Sequence, residues 1–238
     1  MTPNLETLLS GLYIMSNLNF DSARENMVEQ QIRPWDVLEP RVLDAIRSIP
    51  RENFVPEEYK NVAYADAAIP LGTFDGKECD MLHPIVEGRI LQHLAITEGC
   101  TVLEIGTGSG YLTACMAKLG NHVDTVDIHE ELTAIAEKNL ADLGISNVNF
   151  SSGDASLSWE QKPAYDAIAI TSSMKKIPET YKNLLKTGGR LFVIVGEPPV
   201  MKAYLVTRTS KNNWETEELF ETSVCAIENS GTEEPFIF

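Results

Sequence analysis

Val102-Leu103-Glu104-Ile105-Gly106-Thr107-Gly108-Ser109-Gly110-Tyr111 is the stretch that decides the fold of this chain. A short apolar run enters three alternating glycines, and Tyr111 to Leu119 then reads as a helix. A strand, a glycine turn and a helix make a nucleotide-binding bend, because residues without a Cβ let the backbone approach a ligand closely. The dinucleotide fingerprint also needs a glycine or small residue three positions after its second glycine. Tyr111 stands there instead. A tyrosine crowds a pyrophosphate, whereas a nucleoside without phosphates tolerates it.

Downstream, strands and helices alternate. Thr101–Ile105, Val123–Asp127, Val148–Phe150, Tyr165–Thr171 and Arg190–Val195 read as strands. Helices are expected over Tyr111–Leu119, over Glu130–Leu143 with Gly144 as its stop, and over Pro178–Leu185. Such alternation implies a doubly wound α/β domain with a mostly parallel sheet covered on both faces. Residues 202–209 and 214–226 are expected to close it as an antiparallel pair.

Two acids follow the bend in order. Asp127 ends the second strand, at the spacing of about 20 residues where a carboxylate accepts from ribose hydroxyls. Gly153-Asp154-Ala155 ends the third, where Asp154 can accept from an adenine amine. Taken singly, Glu104 also fits a loop anchor, Asp127 a helix cap and Asp154 a turn residue. Their occurrence after three successive strands favours a nucleoside pocket. The expected cofactor-side set is Glu104, Gly106, Thr107, Gly108, Ser109, Gly110, Asp127, Ile128, Gly153, Asp154 and Ala155.

Upstream, a helix capped by Asp21 or Ser22 presents Met27, Val28 and Ile32 and ends at Pro34. A second follows Pro40, and a third opens at His83-Pro84 with Ile85, Val86, Ile90, Leu91 and Leu94 on its buried side. Between them, residues 67–82 carry Pro70, Gly72 and Gly76 and read as a loop, and the stretch 72–84 is expected to face the acceptor. The chain therefore divides into a dispensable extension over 1–14, with Met15 as an alternative start, then a helical, substrate-side region over 15–95. A cofactor-binding α/β domain follows over 96–238.

The 238 residues suffice for a core without staples. With 35 acids against 19 bases the net charge is −16, which argues against a nucleic-acid partner. Cys79, Cys100, Cys115 and Cys225 form no C-x-x-C pair and no zinc spacing, so no metal site is expected. They read as reduced thiols in a cytoplasmic protein. Cys79 has only Lys77 as a basic neighbour in sequence and reads as inert rather than nucleophilic. No apolar run approaches the roughly 20 residues of a membrane span. Oligomeric state has no sequence signature here.

The chain resembles protein-L-isoaspartate O-methyltransferases from about Asp21 to Phe238. The opening stretch is similar to that family's first cofactor motif almost letter for letter. Pro50-Arg51-Glu52-Asn53-Phe54-Val55-Pro56, Ala63-Tyr64-Ala65-Asp66, Ile69-Pro70-Leu71-Gly72, Ile177-Pro178 and Leu185–Leu191 also resemble it. The resemblance implies a seven-stranded class I methyltransferase sheet, Rossmann-like, with an N-terminal helical extension. It implies S-adenosyl-L-methionine as donor, S-adenosyl-L-homocysteine as product, and an acceptor carboxylate on a damaged protein or peptide.

One segment departs from the pattern. Where the family has Thr-Ile-Ser-(Gln/Ala)-Pro, with its serine beside the acceptor, this chain has Glu78-Cys79-Asp80-Met81-Leu82-His83-Pro84. Leu82 or a neighbour takes the serine's place. Thr73 is the nearest upstream hydroxyl, and His83 can contact a carboxylate or simply cap its helix; both are acceptor-side candidates. Three readings stay open: an isoaspartyl carboxyl methyltransferase in protein repair, a methyltransferase with another small-molecule or peptide acceptor, and a cofactor-binding protein without transfer.

Overall fold

The computed structural model describes residues 19–159 and 164–229. The 1–14 extension, the choice between Met1 and Met15, and the tail at 233–238 lie outside the described residues. Helix α1 (Phe20–Asn26) is capped by Asn19, whose Oδ1 accepts from Ser22 N at 3.1 Å, rather than by Asp21 or Ser22. The helix runs on through a π turn at Met27–Ile32 and a 3-10 turn at Arg33–Trp35. Pro34 thus sits inside the last turn, and the chain reverses at Asp36, in the left-handed region with φ 64°. Met27, Val28 and Ile32 are buried as their spacing predicts. Helix α2 (Pro40–Ser48) and helix α3 (Pro84–Leu94) each begin at a proline, whose missing N–H has no partner to lose there.

The expected loop over 67–82 is a β-hairpin, with β1 (Ile69–Phe74) antiparallel to β2 (Lys77–Met81). Its two-residue turn is Asp75-Gly76, with φ of 48° and 78°. Asp-Gly in this double left-handed turn matches the twist of paired strands, and that signal outweighs the loop reading drawn from Pro70 and Gly72.

The main sheet has seven strands in the order β5-β4-β3-β6-β7-β8-β9. These are β3 (Thr101–Ile105), β4 (His122–Asp127), β5 (Val148–Ser152), β6 (Tyr165–Met174), β7 (Leu185–Glu197), β8 (Val200–Ser210) and β9 (Asn213–Thr222). Strands β3 to β7 pair parallel, and β8 and β9 add antiparallel. Helices α4 (Tyr111–Leu119), α5 (Glu130–Asp142) and α6 (Glu179–Asn183) make the crossings. The chain winds outward from β3 to β5, then returns to lay β6 against the other side of β3. The carboxyl edge between β3 and β6 is therefore a topological switch point, where open α/β sheets bind ligands. Val102, Val123, Ala167 and Phe192 face the core under α2, α3 and α4. Leu103, Ile168, Leu191 and Val193 face the second layer with Tyr181 of α6. Burial on both faces explains the unbroken apolar runs of these strands.

Residues 223–226 do not extend β9. They leave the sheet and run beside the end of β6, where Ser173 N donates to Cys225 O and Ile227 N donates to Ser173 O, both at 2.9 Å. Among the described residues no helix is long and apolar enough to cross a membrane.

Arg51 fastens the N-terminal region to this sheet. It is completely buried, donates Nε to Ala63 O at 2.8 Å and Nη2 to Leu82 O at 2.6 Å, and pairs through Nη1 with Glu87 of α3. Its guanidinium lies 4.7 Å from the Tyr111 ring centroid. Removing one partner of a buried ion pair strands the other charge, at a cost of about 3–5 kcal/mol. Arg51→Ala is expected to lose about that much stability in urea denaturation.

Candidate active site

The three glycines of the bend meet different surroundings. Gly106 has φ +94°, and a Cβ there would lie 2.2 Å from Thr171 Oγ1 of β6. That hydroxyl is 3.0 Å from the carbonyls of both Ile105 and Gly106 and donates to this pair. Gly110 has φ +88°, and its Cβ would meet Ala136 and Leu140 of α5 within 3 Å. It lets α4 start hard against α5. Gly108 alone has space beyond it, with Leu71 of the hairpin the nearest obstacle at 3.6 Å.

A cavity of about 680 Å³ opens at this bend, within the usual range for a small-molecule site. Every expected cofactor-side residue lines it except Gly110, which serves helix packing. The acceptor-side candidates do not line it. Thr73 is exposed on β1 opposite Glu78. His83 precedes α3, with Nδ1 3.4 Å from Asp66 Oδ1.

Asp127 organises the loops around the bend. Its Oδ2 accepts from Gly108 N at 2.9 Å and its Oδ1 from His129 N at 3.0 Å. Each oxygen keeps a further lone pair for a ligand hydroxyl. Asp154 is exposed and accepts from Ser156 N and from Asn229 Nδ2, both at 2.9 Å. The Ser156 amide chiefly holds its carboxyl below the usual range. Glu104 is completely buried. Its Oε2 accepts from Thr113 Oγ1 at 2.5 Å and Thr125 Oγ1 at 2.7 Å, while Oε1 has no hydrogen-bond partner. Burial pushes this carboxyl up to about 8, against the two hydroxyl bonds.

Several lining residues had no role in the sequence reading. His129 is 3% exposed, and its Nε2 lies 2.9 Å from Glu228 Oε1. Glu228 also pairs with Lys77 at 2.6 Å, so the segment at 225–229 ties the hairpin to the β4 edge. Only its position in space reveals it, since it carries no periodicity. Cys79 also lines the cavity. Burial pushes its thiol up to about 11, which fits the inert reading.

The family model for protein-L-isoaspartate(D-aspartate) O-methyltransferase matches residues 22–229. The chain belongs to that family. A Rhodopseudomonas palustris protein described as protein-L-isoaspartate O-methyltransferase 1 is 37% identical over 205 residues, covering 84% of this chain and 81% of that one. A protein-L-isoaspartate O-methyltransferase of Gloeobacter violaceus is 38% identical over 184 residues, covering 77% and 88%. A solved protein-L-isoaspartate O-methyltransferase superposes with a TM-score of 0.77 at 26% identity, over 87% of this chain and 66% of that one. A Plasmodium falciparum structure, in complex with S-adenosyl-L-homocysteine, superposes with a TM-score of 0.73 at 21% identity over 89% of this chain and 99% of that one. That last likeness speaks to the fold alone. The seven-stranded, mostly parallel sheet is the family's fold, as the sequence reading expected.

Glu104 makes stability depend on pH. It loses its proton near the ordinary 4.5 when unfolded but near 8 when folded. The unfolded chain thus binds fewer protons in between, so this group's contribution to stability falls as pH rises from 4.5 to 8. Glu104→Gln removes that slope. Urea denaturation of the ligand-free protein at pH 5 and pH 8 should show the variant gaining on the wild type by about 2–4 kcal/mol.

Proposed function

We propose that this protein methylates the free carboxylate of L-isoaspartyl residues in damaged protein chains, with S-adenosyl-L-methionine as donor. Family membership and the crevice at the glycine bend support this reading together. The buried Glu104 oxygen carries the cofactor half, because an acceptor atom with no partner on a cavity wall needs a donor from the ligand. The residues fit the cofactor. Glu104 takes the ammonium of the methionine end, Gly108 leaves room for the chain, Asp127 holds the ribose and Asp154 faces the adenine amine. Gly106, Thr107, Ser109, Ile128, Gly153 and Ala155 shape the same wall. The region over 15–95 contributes its hairpin to the acceptor side, and 96–238 holds the cofactor. We place the reaction in the cytoplasm, where four free thiols are stable.

When bound, S-adenosyl-L-methionine supplies a methyl group on a sulfonium, which passes in line to an acceptor oxygen and leaves a neutral thioether. A carboxylate is already ionised at neutral pH, so the protein needs no strong base. Its work is to align the two partners and exclude water. The hairpin and the segment at 225–229 do this by covering the open edge of the sheet.

A second reading keeps the chemistry but changes the acceptor. It is favoured by the 78–84 segment, where Leu82 or a neighbour takes the place of the family's serine, and by Thr73, which lies outside the cavity. Incubation with labelled cofactor and an isoaspartyl peptide separates the readings. Base-labile methyl ester in that peptide, and none in its aspartyl counterpart, is the expected result. Ester only on other acceptors supports the second reading, and binding without any transfer leaves a cofactor-binding protein. Independently, Asp127→Ala should weaken S-adenosyl-L-homocysteine by about ten- to a hundredfold in calorimetry, through lost charge-assisted hydrogen bonds. An unchanged Kd removes Asp127 from the ribose site.

A further inference from the structure

Seven carboxylic side chains line the cavity, against two lysines. An anionic acceptor entering such a lining needs a positive charge and a hydrogen-bond donor to hold it. Lys77 is already committed, with Nζ 2.6 Å from Glu228 Oε2. Lys175 is not. It is exposed at the cavity rim, directly after the carboxyl end of β6, and among the described residues it has no ion-pair or hydrogen-bond partner.

Three residues earlier on the same edge stands Ser172, which also lines the cavity. Its hydroxyl meets no partner among the described residues. The hydroxyl lies 3.7 Å from where a Cβ on Gly106 would be, so it sits beside the bend. The neighbouring hydroxyls are unsuited to the task. Thr171 donates to the bend's own carbonyls, and Ser173 is 1% exposed. The 78–84 segment has no hydroxyl at all.

We propose that Ser172 and Lys175 hold the acceptor carboxylate, doing from the β6 edge what a hydroxyl in the 78–84 segment would do from the hairpin side. The Ser172 hydroxyl donates to one oxygen, and the Lys175 ammonium neutralises the group. The other oxygen is left to attack the methyl carbon as the carbon–sulfur bond breaks, with that electron pair passing to sulfur. The assignment rests on the carboxyl-methylation reading above.

The test uses the full chain saturated with S-adenosyl-L-homocysteine and a fluorescent isoaspartyl peptide, with binding read by anisotropy and methylation kinetics run beside it. Lys175→Ala is expected to raise both the peptide Kd and the KM about tenfold, with kcat and the S-adenosyl-L-homocysteine Kd within about twofold of wild type. Lys175→Arg should restore most of the binding. Ser172→Ala should weaken the peptide by about threefold to tenfold. Wild-type peptide affinity should fall with added salt, and Lys175→Ala should lose most of that dependence. A variant that binds the peptide as the wild type does removes its residue from the acceptor site. If the wild type methylates the peptide and both alanine variants match it, this assignment alone falls. If the wild type binds S-adenosyl-L-homocysteine but neither binds nor methylates the peptide, the carboxyl-methylation reading falls and takes the assignment with it.

Discussion

At the bend the backbone of Gly106 runs so near the Thr171 hydroxyl that a single Cβ would fall 2.2 Å from its oxygen. Everything at the ligand edge follows from that contact. Thr171 can donate to the Ile105 and Gly106 carbonyls only because no side chain intervenes. The bond fixes how β3 leaves the sheet beside β6, and so where the bend hangs over the switch point. Gly106 N donates to Val126 O at 2.9 Å and ties the same bend to β4. With both neighbours holding it, the bend presents Gly108 to the cavity and lets α4 begin against α5. The three glycines look alike in sequence. They answer to three different neighbours: a hydroxyl, a ligand space and a helix.

The other wall of the cavity depends on burying a cation well away from the bend. Arg51 has its guanidinium between Ala63 O, Leu82 O, Glu87 and the Tyr111 ring, so one side chain joins the N-terminal region, the hairpin exit, α3 and the first residue of α4. Tyr111 gives Arg51 an aromatic face, with Phe54 packed edge-on at 5.5 Å on the same ring. The residue that follows the glycine bend is thus also a joint between the N-terminal region and the sheet.

The central sheet was legible because its inner strands are buried on both faces. Such strands show as apolar runs, and β3, β4 and β5 each end at a glycine or an acid at the ligand edge. Helices α4 and α5 were equally plain from their glycine boundaries. The hairpin was misread because Pro70 and Gly72 look like loop residues, while the informative pair was Asp75-Gly76. The cap at Asn19 was missed because Asp21 and Ser22 offer equally good chemistry two and three residues later. The segment at 225–229 was beyond sequence reasoning. Its bonds run to Ser173, Lys77, His129 and Asp154, far away along the chain, and none imposes a local period. The same limit hid Ser172 and Lys175, which nothing among the described residues engages.

The acidity of the chain exaggerates the field an acceptor would feel. Burial raises Glu104 to about 8, and Glu87, which burial also pushes up, is tied to Arg51 in a buried ion pair, so neither presents a free negative charge to the cavity at neutral pH. Lys77 holds Glu228 as a carboxylate below its usual range, but the same contact neutralises it. Asp154 is satisfied by the Ser156 amide and Asn229. Two of the remaining carboxyls, Glu78 and Asp80, belong to the hairpin. A ligand ammonium brought to Glu104 favours its ionised form, so cationic donor and buried acid neutralise one another. What is then left is a hairpin that carries Glu78 and Asp80 and a β6 edge that carries Lys175. That asymmetry follows from where the chain buries its acids rather than from how many it has.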